Sequence, residues 1–238
     1  MKKNTNRYYA AALAVACLAG FASEVRADYL DGLAAMVKGD FKAACAEFGA
    51  LAEQGDAKAQ IKVGEMHVRG QCGPKNEEEA AKWYLKAAQQ GNSEAQVYMG
   101  VMYANGKGVT QNDAEAATWY AKAAEQGNPV GQGLLGQMYS AGKGVTKSDA
   151  EAITWYRKAA EQGNSLGQRL LGGSYADGLG VEQDYVQAYM WLTLAFEKGD
   201  PLAGGVRSTF SGKMKAEQIA EAKRLAGEWR PVKAKKGK

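Results

Sequence analysis

Residues 113–146, "DAEAATWYAKAAEQGNPVGQGLLGQMYSAGKGVT", decide the fold. A first helical pattern runs to Glu125, breaks at Gly127-Asn128, and a second runs from Pro129 to a glycine-rich loop. Thirty-six residues after Asp113 the text resumes almost unchanged as "DAEAITWYRKAAEQGN" (149–164). Working outward, Trp83, Trp119, Trp155 and Trp191 are spaced by 36 residues. So are Gly55, Gly91, Gly127, Gly163 and Gly199, and so are Gly64, Gly100, Gly136 and Gly172. A fixed period of this length, filled by two helical patterns, is a helix–turn–helix repeat.

The ends of the helices repeat too. Asp40, Asn76, Asn112, Ser148 and Asp184 share one register and are N-cap residues by type. Glu79, Glu115, Glu151 and Gln187 stand three positions on, which predicts capping boxes in four copies. The Gly55 series suits the left-handed residue after a first helix, and Asp56, Asn92, Asn128, Asn164 and Asp200 then cap a second. Pro129 and Pro201 follow two of these caps, at the first helical position. Ala80, Trp83, Tyr84, Ala87 and Ala88 make an apolar stripe on the first helix, matched by Ala95, Met99, Met102 and Tyr103 on the second. No single unit buries such a stripe, so the units must stack. The expected core set is Trp83, Tyr84, Gly100, Trp119, Tyr120, Gly136, Trp155, Tyr156, Gly172 and Trp191.

The quoted stretch also holds a formal G-x-G-x-x-G (Gly131, Gly133, Gly136) and a Gly142-Lys143 pair. Shifted by one period, Gly133 becomes Val97 or Arg169, so the pattern belongs to one copy only. Gln137 and Gly144 stand where a P-loop needs Gly and Ser/Thr, and no strand precedes either segment. These glycines serve packing, and no cofactor is expected.

"AEAATWYAKAAEQGNPVGQGLLGQMYSAGKGV" resembles a Sel1-like repeat, a relative of the tetratricopeptide repeat, and the resemblance extends over about residues 40 to 210. "QAYMWLTLAFEKGDPLA" followed by "MKAEQIAEAKRLAGEW" is similar to the terminal repeat and closing helix of exported bacterial members. The resemblance implies an all-α solenoid that acts as a scaffold or adaptor on protein partners. The expected organisation is a signal peptide (1–27), a lead-in (28–39), an array (40–75, 76–111, 112–147, 148–183, 184–210), a capping helix (211–230) and a basic disordered tail (231–238).

At the N-terminus, Lys2, Lys3 and Arg7 precede an apolar run from Tyr8 to Phe21, and Val25-Arg26-Ala27 offers small residues for cleavage. That order is a secretory signal, and the run is too short for a stable membrane span. Lipidation at Cys17 is the alternative, although Ala14 replaces the usual leucine of a lipobox. Cleavage after Ala27 leaves 26 basic against 25 acidic residues, a net charge of +1. Lys233, Lys235, Lys236 and Lys238 lie in the tail, so the folded body is slightly acidic and nucleic acid is not an expected partner. A periplasmic or secreted location follows, with no membrane span in the mature chain.

Copy one departs from the pattern. Cys45 takes the place of Ala81, Cys72 that of the loop glycines Gly108, Gly144 and Gly180, and His67 that of Tyr103, Tyr139 and Tyr175. Cys45 near the start of one helix and Cys72 past the end of its antiparallel partner are neighbours, so a disulfide is expected in an oxidising compartment. Two separate buried thiols are the alternative.

Catalytic patterns are thin. His67 is the sole histidine and reads as a stand-in for an aromatic ring, and no Cys/His cluster has metal-ligand spacing. Some cysteine-rich Sel1-like proteins recognise penicillins, and Ser140-Ala141-Gly142-Lys143 spells S-x-x-K, but the companion S-D-N and K-T-G motifs are missing and Ser140 is expected in a loop. What varies between copies is informative, because packing does not dictate it. Glu78, Lys82 and Leu85, then Thr118 and Ala121, then Thr154 and Arg157 share one face of the first helices and form the expected partner-binding groove. The reading is a non-enzymatic envelope scaffold. Its alternatives are a penicillin-recognising enzyme and a secreted effector that binds a host protein.

Overall fold

A computed structural model describes residues 28–232. The signal-peptide and lipobox positions, and the tail beyond Val232, lie outside the described residues. Twelve α-helices and no strand are present among them. They are α1 (Tyr29–Val37), α2 (Phe41–Glu53), α3 (Ala57–Arg69), α4 (Glu77–Gln89), α5 (Ser93–Asn105), α6 (Asp113–Glu125), α7 (Pro129–Ala141), α8 (Asp149–Glu161), α9 (Ser165–Asp177), α10 (Tyr185–Glu197), α11 (Ala203–Ser211) and α12 (Ala216–Glu228). The result is an all-α solenoid of repeated helix pairs.

The capping chemistry explains the regular lengths. Asp40, Asn76, Asn112, Ser148 and Asp184 each accept a backbone N–H of the following first turn. First helices end on glycines with φ between 82° and 95°, and second helices on Gly70, Gly106, Gly142 and Gly178 with φ between 65° and 70°. That region is open to glycine and disfavoured for side chains. The predicted capping boxes do not form. The backbone N–H of Asn76, Asn112, Ser148 and Asp184 already donates to the carbonyl of His67, Tyr103, Tyr139 and Tyr175, at 2.9–3.0 Å. With that donor spent, Glu79 turns to Lys82 instead.

The tightest packing joins the second helix of one unit to the first helix of the next (α3 with α4, α5 with α6, α7 with α8, α9 with α10). Glycine makes it possible. A Cβ on Gly64 would stand 2.6 Å from Tyr84 Cε1, one on Gly136 2.5 Å from Tyr156 Cε1, and one on Gly172 2.8 Å from Leu192 Cγ. Tyr84, Tyr120 and Tyr156 are buried in these seats, and Trp83, Trp119 and Trp191 are buried beside them. Trp155 is half-buried.

Both ends of the array are built differently. The lead-in contains α1, which lays Gly32 on Phe48 as a second helix would, with Tyr29 edge-on to the Phe48 ring. Pro201 sits in a turn, not at a helix start, because α11 begins only at Ala203. There Asp200 caps Leu202 and accepts from Arg169 Nε at 2.9 Å. Helix α12 packs on α10 through Ala222 and Ala226. Just beyond it Val232, in the segment expected as a disordered tail, donates its N–H to the Glu161 carbonyl at 2.7 Å.

Candidate protein-interaction face

The first helices bury three sides and expose one. On α4 the exposed ridge is Glu78, Lys82 and Lys86, with Leu85 half-buried at its edge. Thr118 and Lys122 on α6, and Thr154, Arg157 and Lys158 on α8, are the matching exposed residues, and Ala121 is half-buried like Leu85. Four of the variable positions are held locally. Lys82 pairs with Glu79 at 2.9 Å and keeps that carboxyl below the ordinary glutamate range. Thr118 and Thr154 turn their hydroxyls back onto the carbonyls of Ala114 and Ala150. Arg157 donates to the Tyr175 hydroxyl at 3.0 Å.

The same ridge carries a feature that the variable positions alone do not reveal. Lys86, Lys122 and Lys158 place their ammonium groups 3.8, 4.0 and 3.9 Å from the ring centroids of Trp83, Trp119 and Trp155. Such cation–π contacts are worth about 0.5–1 kcal/mol at exposed sites. The signal was available, since the three lysines share the 36-residue period. In the next copy Leu194 replaces the lysine, and Trp229 covers Trp191 edge-on at 5.9 Å. Met190 and Thr193, the counterparts of Thr154 and Arg157, are buried there. Met190 packs in one cluster with Ala226 of α12, and Thr193 accepts from Arg207 of α11 at 2.9 Å.

A second series that composition hides is buried glutamine. Gln60, Gln96, Gln132 and Gln168 donate to the carbonyls of Ala52, Ala88, Ala124 and Ala160 at 3.0–3.3 Å. Gln90, Gln126 and Gln162 of the following units donate to the side-chain oxygens of the first three at 2.7–2.8 Å. The ladder ties each unit to the next inside the core. Its last rung is missing. Lys198 stands at the next position and reaches the Gly163 carbonyl at 2.6 Å, leaving Gln168 Oε1 buried without a partner.

Cys45 on α2 and Cys72 after α3 are joined, with Cα atoms 5.6 Å apart, a separation that a disulfide takes. In later copies Gly108, Gly144 and Gly180 press their backbone onto the first residue of the same unit's first helix, at Glu77, Asp113 and Asp149. Copy one replaces that contact with the sulfur bridge, and its positive φ moves to Gly73. His67 is half-buried in the last turn of α3, and its carbonyl serves Asn76. Ser140 is not in a loop. It lies in the last turn of α7, half-buried and near Tyr156, while Lys143 is exposed beyond the helix end. No trio of His, Cys, Asp or Glu is grouped to hold a metal among the described residues, and none of their helices is long and apolar enough to cross a membrane.

Repeated helix pairs with this period, these glycine seats and these caps define a Sel1-type α-solenoid. The family model "Sel1 repeat" matches residues 57–92, 93–128, 129–164 and 165–200, and the chain belongs to that family. The matched segments begin at second helices, so each spans one tight helix pair, such as α3 with α4. A Sel1 repeat protein from Oxalobacter formigenes is 30% identical in sequence and superposes with a TM-score of 0.72 over 84% of each chain. The protein c5321, a protective antigen of uropathogenic Escherichia coli with the same repeat fold, is 34% identical with a TM-score of 0.50. That match covers 79% of this chain and 48% of c5321, so the chain spans about half of that relative. No curated protein matches.

Proposed function

We propose that this chain is an exported, non-catalytic scaffold of the bacterial cell envelope, and that it holds a protein partner on the exposed ridge of its first helices. One observation carries the reading. On α10 the chain already covers this ridge with its own α11 and α12, burying Met190 and Thr193, while the counterparts Lys82, Thr118, Thr154 and Arg157 stay exposed. The ridge is therefore of a shape that seats a helix, and three copies of it are uncovered among the described residues. Assembly, secretion and regulation of a membrane sensor are the settings that suit such a surface. The joined Cys45–Cys72 pair supports an oxidising compartment.

The test uses the full chain in its producing cell. Lys82→Glu, Thr118→Glu and Arg157→Glu are combined, and in-cell crosslinking with mass spectrometry identifies the adducts. The expected result is an unchanged circular dichroism spectrum with loss of one specific adduct. An adduct pattern identical to wild type refutes the ridge. N-terminal sequencing of the chain recovered from the cell envelope tests export. Cleavage after Ala27 leaves a chain that begins at Asp28, and a chain that still begins at Met1 counts against export by this signal. Turnover of nitrocefin that disappears in Ser140→Ala would overturn the non-catalytic reading.

A further inference from the structure

Tyr84 does not sit bare on its glycine. Tyr98 of α5 stacks on it with centroids 4.6 Å apart and planes 14° from parallel, and its hydroxyl donates to Glu65 Oε1 at 3.0 Å. One period later the same three positions hold Tyr120, Leu134 and Val101; two periods later they hold Tyr156, Leu170 and Gln137. The later copies keep the receiving tyrosine and lose the ring that covers it. Between them opens a cleft of about 500 Å³, lined by Tyr120, Tyr156, Leu134, Leu170, Gln137 and Met138. Its size falls within the range of small-ligand sites, about 300–1,000 Å³. None of the variable ridge positions borders it.

We infer that this cleft receives the phenol ring of a tyrosine presented by a protein partner, its ring among Tyr120, Tyr156 and the two leucines and its hydroxyl donating to Gln137 Oε1. The inference rests on the scaffold reading and adds a second, separate contact to it. The molecule holds its own copy of the occupant: Tyr98 on Tyr84, with Glu65 as the acceptor that Gln137 replaces. An aromatic pair gains about 0.5–1.5 kcal/mol beyond its buried area, which leucine does not supply. Charge suits a neutral ring as well. Asp113 and Lys143 border the cleft, and neither is in an ion pair among the described residues. Their opposite signs leave no net charge to draw an ionic ligand. The Tyr120 ring is buried, and burial alone raises its phenol, so the floor of the cleft is apolar.

The probes are p-cresol, toluene, N-acetyl-tyrosine amide and N-acetyl-alanine amide, titrated by NMR into the folded full chain. Both phenols are expected to bind with little dependence on salt, and the alanine compound to be silent. Leu170→Tyr supplies the missing ring beside Gln137 from within and should weaken both phenols at least tenfold. Gln137→Leu, which leaves the ring floor intact, should weaken p-cresol while leaving toluene binding unchanged. Absence of phenol binding, or phenol binding that neither Leu170→Tyr nor Gln137→Leu weakens, overturns the inference. Binding of p-cresol without N-acetyl-tyrosine amide overturns the partner tyrosine in favour of free phenols. Either failure, with the ridge variants still losing their crosslinked adduct, sinks the cleft and spares the scaffold.

Discussion

The glycine seats make a quantitative claim about Gly64→Ala. Alanine favours a helix interior over glycine by about 0.5–1 kcal/mol. Against that gain, the new Cβ would meet Tyr84 Cε1 at 2.6 Å, Cδ1 at 2.9 Å and Cζ at 3.0 Å. Tyr98 stacked on the same ring limits its retreat. Overpacking of a full core costs about 1–3 kcal/mol, so the steric term wins and the net loss is about 1–2 kcal/mol. For a chain of this size that lowers the midpoint by roughly 2–8 °C. Gly173 is the internal reference: it too lies in a helix, α9, but its added Cβ would meet nothing within 4 Å. Gly173→Ala should therefore raise the midpoint by about 1–4 °C, since only the helix-propensity gain remains. Calorimetry and urea unfolding of the two variants side by side decide it. If Gly64→Ala is as stable as Gly173→Ala, glycine is not what sets the helix spacing, and the packing account is wrong.

Three further outcomes follow from the same structure. Reducing Cys45–Cys72, which are 27 residues apart, should destabilise the N-terminal unit by about 3.5 kcal/mol in the chain-entropy model, seen as faster amide exchange in α2 and α3 than in α8. Gln126→Ala should cost about 1–3 kcal/mol in urea unfolding, because it leaves the buried Gln96 oxygen without a donor. Burial pushes Tyr120 up to about 12, and burial with the hydrogen bond to Glu65 pushes Tyr98 up to about 12, from an ordinary 10.0. The neutral phenols are the folded form, so this contribution is whole below pH 10 and fades as pH rises towards 12. Ultraviolet titration of tyrosinate beside an unfolding curve at each pH checks the sign; stability that rises across this window would contradict it.

The repeat made the helices legible, because caps and glycines act within a few residues and recur five times. Asn76 and Gly91 could be placed by their neighbours alone. What the sequence concealed depends on contacts beyond the few residues around each cap. The capping boxes failed because His67, Tyr103, Tyr139 and Tyr175 claim the donors from the preceding helix, which spacing around the cap does not disclose. Ser140 was misplaced by one turn, since α7 runs on to Ala141. The glutamine ladder shares the 36-residue period and was open to the same count, but glutamine looks like surface until its oxygens are followed inward. The cleft was hidden for another reason. It arises where Leu134 and Leu170 replace Tyr98 in the later copies, changes that look neutral until the rings beneath them are known.

The ladder also governs how this array could grow. Inserting a second copy of residues 93–128 beside the first would supply Gln96 and Gln126 together, so the new junction would have a donor for its buried amide oxygen. Inserting a second copy of residues 165–200 would bring Lys198 into the interior and repeat the orphaned Gln168 oxygen at a new internal junction. The array can lengthen from its middle, and its last unit is written as an end.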